Sequence, residues 1–297
     1  MPNPVSRATR YWLELDGAGA GWLDSTAGGL ATGEVVFEPP GPDHIARKHI
    51  AGVKYESITL SCGAAMSKTF YNWIKGVLAH IYTRLDGAVI TVNADGKDIS
   101  RIDFYNGLIT EIGFPALDGS SKDACYFTVK IAPVYTRRFK PVGTGGVRPA
   151  PEQKWFAADF RLQISGLDCT HVSKVEAPVL TARMSQVPFG EVSQPAFLEI
   201  PDLVVTLDED HADSFYDWHK SFVIDGNNGN DQEKSGTLDF LTPDRNKALF
   251  TLAFNGLGIY SLKSVPLGIG TEAVRQVQVQ MYCDNTSLNL GVVGGSS

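Results

Sequence analysis

The feature that most constrains the fold of this chain is a short sequence that occurs twice. The segment SKTFYNWIKG occupies residues 67–76, and ADSFYDWHKS occupies residues 212–221. Five further matches flank these segments in the same order, all at offsets between about 145 and 151 residues, and a constant offset is the signature of an internal repeat. The repetition predicts two copies of one structural unit in tandem.

The flanking matches set the boundaries of the two copies. YWLELDG at 11–17 pairs with FRLQISG at 160–166, and DFYNGLITEI at 103–112 pairs with AFNGLGIYSL at 253–262. A chain of 297 residues is long enough for two cores of about 100–150 residues each. We expect three parts: a first domain at 1–138, a Gly/Pro-rich linker at 139–155 and a second domain at 156–297.

The repeated aromatic segments have the period of a helix. In the first copy the apolar residues fall at i, i+3, i+4, i+7 and i+8, which is one face of an amphipathic helix, and they are Phe70, Trp73, Ile74, Val77 and Leu78. Ser67 is the expected N-cap there, and Asp210 or Asp213 is the expected N-cap of the second helix. Phe70 with Trp73, and Phe215 with Trp218, are therefore expected to pack each helix against its sheet.

The rest of each copy alternates like β-strands. Asp95-Gly96 between two alternating runs is a hairpin signal, and Pro243 to Asn246 takes its place in the second copy. The closing strands alternate cleanly, with Val277, Val279 and Met281 on one face and Gln276, Gln278 and Gln280 on the other. The sequence predicts a mostly β fold of two tandem antiparallel β-sandwich or barrel domains, each with one packing helix.

Charge and cysteine content exclude several classes of protein. The net charge is -7, and it is unevenly divided: 16 Lys and Arg against 14 Asp and Glu in residues 1–150 give +2, and 10 against 19 in the rest give -9. This balance argues against nucleic acid as the main partner. The cysteines are widely spaced without a CxxC pair, which favours reduced, mostly buried thiols over disulfides or a zinc site.

Catalytic and metal-binding motifs are poor in this sequence. It has no Gly-x-Ser-x-Gly elbow, no Walker loop and no His-Glu-x-x-His. DEDHAD at 208–213 could attract a metal through His211, but we favour an acidic loop that precedes the second helix. We expect no enzymatic activity, no cofactor and no metal.

The first copy also resembles a known family. YESITLSCGAAMSKTFYNWIKG at 55–76 and ISRIDFYNGLITEIGFPALDGSSKDACYFTVKIAPVYTRR at 99–138 are similar to tail tube proteins of contractile-tailed phages and phage-tail-like contractile injection systems. The second copy resembles the family more loosely, through residues 160–178 and 253–266. The duplication is a departure, because the ordinary tube subunit has a single domain of this kind.

The resemblance implies a structural protein that forms rings. In the family, six tube domains close a ring whose inner wall is a continuous β-barrel, and the rings stack into a hollow tube. Three roles stay open: a tube subunit, with six chains; a trimeric hub or adaptor, with three chains in a pseudo-sixfold ring between tube and spike; and a free-standing β-sandwich binding protein. We favour the tube, because both copies resemble tube rather than hub sequences.

The resemblance also implies partners and a location. We expect homo-oligomeric rings that contact sheath, baseplate or spike proteins, without direct membrane insertion and without specific nucleic-acid binding, although DNA would pass through the tube of a phage. No run of about 18 apolar residues occurs, so we expect a protein made in the cytoplasm and assembled into a virion tail or an injection particle. Gln276, Gln278 and Gln280 are the candidate lumen-facing residues.

Overall fold

The computed structural model describes residues 8–141, 148–149, 155–185, 194–266 and 274–290. The first half contains helix α1 (Lys68–Leu78) and ten strands. These strands are β1 (Ala8–Leu15), β2 (Ala18–Gly28), β3 (Ala31–Glu38), β4 (Arg47–Tyr55), β5 (Ile58–Cys62), β6 (Leu85–Asn93), β7 (Asp98–Gly113), β8 (Leu117–Asp118), β9 (Phe127–Ala132) and β10 (Tyr135–Phe139).

The second half repeats this order of elements. Its helix α2 (Asp213–His219) runs on into a π-helical turn at Lys220–Ile224. Its strands are β11 (Phe160–Ile164), β12 (Val172–Val175), β13 (Val179–Met184), β14 (Pro195–Glu199), β15 (Leu203–Asp208), β16 (Lys234–Leu241), β17 (Ala248–Ser264) and β18 (Gln276–Leu290).

Six strands of the first half close into an antiparallel barrel. They pair in the circular order β1, β2, β5, β9, β7, β6 and back to β1. The tight turn from β1 to β2 needs two residues with positive φ, and Asp16 (48°) and Gly17 (78°) supply them. Because the barrel is closed, none of its six strands forms a free edge along its whole length.

The barrel of the second half is open. Its strands pair in the order β11, β16, β17, β18, β15 and β12, and β11 does not pair with β12 in the described part of the chain. After β11 the chain leaves through a loop, and β12 has only four residues. The predicted mostly β fold, with two antiparallel barrel-like units and a helix in each copy, is confirmed, and the two barrels differ in closure.

The two helices begin differently. Ser67 caps α1 as predicted, because its Oγ accepts a hydrogen bond from the backbone N–H of Phe70 at 3.2 Å. The prediction of Asp210 or Asp213 as the cap of α2 is wrong: Ala212 is the N-cap residue, and no side chain bonds there. Asp213 is the first residue of the helix, where its charge still favours the helix dipole.

The two halves complete each other's sheets. Strand β13 of the second half pairs antiparallel with the end of β7, with Leu180 opposite Ile112. Strand β8 of the first half pairs with β12, with Lys174 opposite Asp118. Each half thus supplies a strand to an edge that the other half leaves unpaired.

Aromatic side chains join the two halves in one core. The ring of Phe127 lies 5.2 Å from Trp155, 6.0 Å from Phe240 and 4.9 Å from Phe250, measured between centroids. From α1, the Tyr71 hydroxyl donates to the carbonyl of Leu288 in β18 at 3.0 Å. Most buried apolar residues of both halves form one contiguous cluster, and Trp12, Ala88, Ile90 and Val92 form a second, smaller one in the first half.

The described residues of the segment expected as a linker contact the rest of the protein. The Arg148 guanidinium makes a paired contact with the Asp98 carboxylate at 2.7 and 3.1 Å, and the carbonyl of Pro149 accepts a bond from the Trp22 indole at 2.7 Å. Trp155, its last residue, is buried. Residues 142–147 and 150–154 of this segment lie outside the described residues.

A first prediction concerns the aromatic junction. Phe127→Ala removes a buried ring that contacts both halves, so we expect the free energy of unfolding to fall by about 3–5 kcal/mol. The control is Phe197→Ala, at a ring that is 57% exposed, where we expect a change within about 0.5 kcal/mol. Urea denaturation measures both values, and a loss below about 1 kcal/mol for Phe127→Ala would contradict a shared core.

A second prediction concerns the charged contact between β8 and β12. The Lys174 ammonium lies 2.8 Å from the Asp118 carboxylate, and this bond, together with bonds from Ser120, lowers the pKa of Asp118 to about 2. A carboxyl whose pKa is depressed by folding stabilises the protein above its unfolded pKa, about 3.9, and loses that contribution as pH falls towards 2.

Asp118→Asn should therefore flatten the fall in Tm between pH 4.5 and pH 2.5. The matched control is Asp217→Asn, an exposed carboxylate on α2, which should leave that slope unchanged. Thermal unfolding followed by circular dichroism across this pH range measures both variants. Parallel curves for Asp118→Asn and the unmodified protein would disprove the contribution of this contact.

Candidate assembly surfaces

The long strands β7 and β17 share two irregularities, which fix the residue-by-residue equivalence of the two halves. β7 bulges at Thr110 and β17 at Tyr260, each on the side that pairs with the closing strand. Four residues earlier, both strands carry a positive φ, at Asn106 (50°) and Gly256 (66°). The two bulges lie 150 residues apart, and so do the two residues with positive φ. Ile112 therefore corresponds to Leu262.

Each half carries a two-stranded ribbon between its second and its pre-helical strand. In the first half β3 pairs only with β4, and in the second half β13 pairs with β14. The pairing registers and bulges of the two ribbons coincide when β13 is placed 149 residues after β3 and β14 is placed 145 residues after β4, so Leu180 corresponds to Ala31 and Leu198 to Val53. We call β3–β4 the first arm and β13–β14 the second arm.

The first arm is amphipathic, and its apolar face is uncovered. On one face, Val35, Phe37, Ile50 and Val53 are 53, 63, 68 and 59% exposed. The opposite face is charged, with an ion pair between Glu34 and Lys54 at 3.1 Å. An isolated two-stranded hairpin is at best marginally stable in water, so this apolar face is a candidate contact surface.

The second arm has its apolar face covered by the first half. Leu180, Ala182 and Leu198 are buried in the shared core. The N–H of Phe114 also donates to the carbonyl of Pro178 at 2.9 Å, which fixes the start of this arm on the end of β7. The same ribbon is therefore a docked element in one half and a projecting element in the other.

The edge that receives the second arm has an unpaired counterpart in the second half. Glu111, Ile112 and Gly113 pair with β9 on one side and with β13 on the other. The equivalent residues Ser261, Leu262 and Lys263 pair with β18 alone among the described strands. Ile112 is buried, whereas Leu262 is half-buried and Lys263 is exposed.

A cavity marks the place where the second barrel fails to close. It has a volume of about 590 Å³ and lies between β11 and the loop that leads to β12. Its charged residues already have partners in the chain: Arg161 bonds Asp239 at 2.6 Å, and Arg245 bonds Asp159 at 3.0 Å. These pairs leave the cavity without an obvious charged group for a ligand.

The predicted glutamine row lies on the outer face of β18. Val277, Val279 and Met281 point into the core, and Gln276, Gln278 and Gln280 are half-buried on the opposite face. The Gln278 amide donates to Glu176 at 2.8 Å, and the Gln276 amide donates to Ser173 at 3.3 Å. At the equivalent position of Gln280, Lys130 lies 3.5 Å from Glu111.

The four predicted helix-packing residues all lie in the interior. Phe70 and Trp73 of α1, and Phe215 and Trp218 of α2, belong to the shared core. The Trp73 indole donates to the carbonyl of Thr83 at 2.8 Å. These aromatics are therefore covered and are not presented to a stacking ligand.

The thiols are free and mostly unreactive in this structure. Cys62 and Cys125 are buried, and Cys169 and Cys283 are partly buried. Burial raises the pKa of Cys62 to about 12 and that of Cys169 to about 11, so the reactive thiolate is disfavoured.

The described residues contain no cluster of three or more His, Cys, Asp or Glu side chains placed to bind a metal ion. Across the same ranges, no helix combines the length and apolarity needed to cross a membrane.

Sequence reasoning did not identify the arms as contact surfaces. The signal was present in GEVVFEPPG, where Val35 and Phe37 alternate with charged residues, and in Ile50 and Val53 of the following strand. Alternation of this kind is the same in a half-buried strand and in a projecting ribbon. It therefore predicts a strand but not whether the apolar face of that strand is covered.

Comparisons with known proteins agree with the resemblance seen in the sequence. Residues 28–137 match the family model described as T4-like virus tail tube protein gp19. A search of curated proteins finds no match.

Several solved structures contain a chain similar to about half of this one. The tube-terminating cap of the anti-feeding prophage is 17% identical, with a TM-score of 0.40, covering 48% of this chain and 93% of the other. A chain in the sheath–tube complex of an extracellular contractile injection system, PVC, is 18% identical, with a TM-score of 0.40, and the match covers 47% of this chain and 93% of the other. Hcp1 from Flavobacterium johnsoniae is 12% identical, with a TM-score of 0.30, and the match covers 46% of this chain and 100% of the other.

TM-scores this low do not show a shared fold. The similarity to the family therefore rests on the sequence of the first half. That match includes the first arm, α1 and the strands β5 to β9. The predicted resemblance is confirmed: residues 28–137 of this chain match the model of the T4-like virus tail tube protein family.

Proposed function

We propose that this protein is a structural, tail-tube-like component that assembles into rings or a hollow tube of a phage tail or contractile injection system, for delivery of cargo. The proposal rests on the match of residues 28–137 to the tail tube family, together with an arm in the first half and an edge of β17 in the second half that lack a strand partner among the described residues. An exposed apolar ribbon and an unpaired edge are liabilities in a monomer, and association removes both.

We propose further that the chain is built from two tube domains, at residues 1–138 and 156–297, joined by residues 139–155. The shared order of elements and the equivalent irregularities of β7 and β17 support this division. The exchange of β8 and β13 between the halves makes each domain depend on the other.

The second candidate role is a trimeric hub or adaptor between tube and spike. Pairing of β7 with β13 sets the two halves side by side in one sheet, and this favours a ring in which three chains supply six domains. The differing charge of the halves, +2 and -9, also suits a ring whose alternate positions are not equivalent. Sheath, baseplate or spike proteins are the expected partners in either role.

A third prediction decides between these roles. The purified protein should form rings visible by negative-stain microscopy, and mass measurement gives the number of chains in each. Six chains per ring, or long tubes, would support the tube role, and three chains per ring would support the hub. A protein that stays monomeric over a wide concentration range would contradict both roles and favour a free-standing binding protein.

We also propose that the outer face of β18 lines the lumen of the ring. Gln276, Gln278 and Gln280 give this face polar groups without net charge, and the Lys130–Glu111 pair neutralises the corresponding charge in the first half. A wall without a strong field of one sign would neither hold nor repel a charged cargo.

A fourth prediction tests this face by thiol labelling. In a background with Cys169→Ser and Cys283→Ser, a Gln280→Cys variant should react with a small maleimide equally fast as free chains and as assembled rings. The buried native Cys62 is the internal control and should stay unlabelled. Protection of Gln280→Cys on assembly would assign this face to a subunit contact and contradict the proposal.

A further inference from the structure

We propose that the first arm of one copy docks on the free edge of β17 in a second copy, in the manner in which the second arm docks on β7 within the chain. This inference rests on the proposed ring assembly and names the contact that forms it. The occupant of the edge is thus a second copy of the same chain.

The intramolecular contact is the template for this contact. Within the chain, Val179, Leu180 and Thr181 of the second arm lie opposite Gly113, Ile112 and Glu111 of β7. Subtracting the arm offset of 149 from the first set and adding the strand offset of 150 to the second gives the intermolecular pairs. These are Leu30 with Lys263, Ala31 with Leu262 and Thr32 with Ser261.

Both participants are available in the single chain. Among the described residues, β3 pairs with β4 alone, so its outer edge is free to extend a sheet. On the acceptor side, β16 pairs with β17 only as far as Leu257, and the outer edge of Ser261 to Lys263 has no described partner. Addition of a strand to such an edge is an established way in which proteins associate.

The apolar faces of the two arms lead to the same conclusion. In the second arm Leu180, Ala182 and Leu198 are buried by docking on the first half. In the first arm Phe37 and Ile50 remain more than 60% exposed, and they share one face of the ribbon with Val35 and Val53. Docking on a second copy gives this face the covering that the second arm already has.

The contact is directional, which determines what can assemble. The second arm and its acceptor are both used inside the chain, so each copy retains one free arm and one free edge. An interface between two different patches is heterologous, and it gives a closed ring when the rotation between copies closes, or an open filament when it does not. It does not give an isologous dimer.

A fifth prediction tests the register by disulfide trapping between two variants. Both carry Cys169→Ser and Cys283→Ser; one adds Ala31→Cys and the other Leu262→Cys. Residues directly opposite in antiparallel strands have Cα atoms about 4.5–5.5 Å apart, which a disulfide can span. Mixing the two under mild oxidation should give a covalent dimer and nothing larger, because each variant supplies one reactive partner.

The control mixture pairs Ala31→Cys with Asn228→Cys, an exposed loop position outside the edge, and should give no dimer. A chain with both Ala31→Cys and Leu262→Cys should link into the full ring, so that denaturing gels show the number of copies. Covalent dimers in the Asn228→Cys mixture at the same yield would overturn the proposed register.

A second set of variants tests the apolar face of the first arm. Phe37→Ser with Ile50→Ser should weaken association more than about tenfold, because each removes an apolar side chain that the contact would bury. The matched control is Val36→Ser, on the charged face of the same strand, and it should assemble normally. Unchanged melting of the isolated double variant shows that the loss is one of association and not of folding.

The outcomes separate this inference from the proposed function. If the unmodified chain forms rings but the Ala31→Cys and Leu262→Cys mixture gives no covalent dimer, the arm contact is wrong and ring assembly stands. Normal assembly of the Phe37→Ser, Ile50→Ser variant overturns the arm contact in the same way. If the unmodified chain stays monomeric, the proposed function fails, and the inference fails with it.

Discussion

The need to pair backbone groups at strand edges governs this structure. A strand edge leaves a row of N–H and C=O groups without partners, and burying such groups unpaired is costly. The first barrel meets this need by closing on itself, and the second does not close. The outer edge of its last strand, β12, receives β8 from the first half, and the second arm in turn covers the end of β7.

Local features of the fold could be predicted from the sequence because local chemistry determines them. The spacing from Phe70 to Leu78 gave α1 and its buried face, and Ser67 gave its start. Asp95-Gly96 gave a hairpin turn, and the alternation of Val277 to Met281 gave the buried side of β18. Each of these depends on residues within one or two turns of the chain.

Long-range pairing could not be predicted in this way. Nothing in the composition of residues 139–155 indicates that Arg148 contacts Asp98 or that Trp155 stacks on Phe127, because both partners lie elsewhere in the sequence. The repeat predicted two similar units, but the opening of the second barrel follows from the loop after β11 and the shortness of β12. The first arm was missed for a related reason: its alternation specifies a strand, and only the tertiary structure shows that Phe37 is uncovered.

The shared core has a consequence for the order of folding during synthesis. The edge of β7 receives β13 more than 60 residues later in the chain, and Tyr71 bonds Leu288 across 217 residues. Contacts of such large sequence separation form late and slow the folding reaction. A ribosome would therefore expose the edge of β7 and the α1 surface around Tyr71 until the second half is made, and we expect the two halves to fold as one cooperative unit rather than as two successive domains.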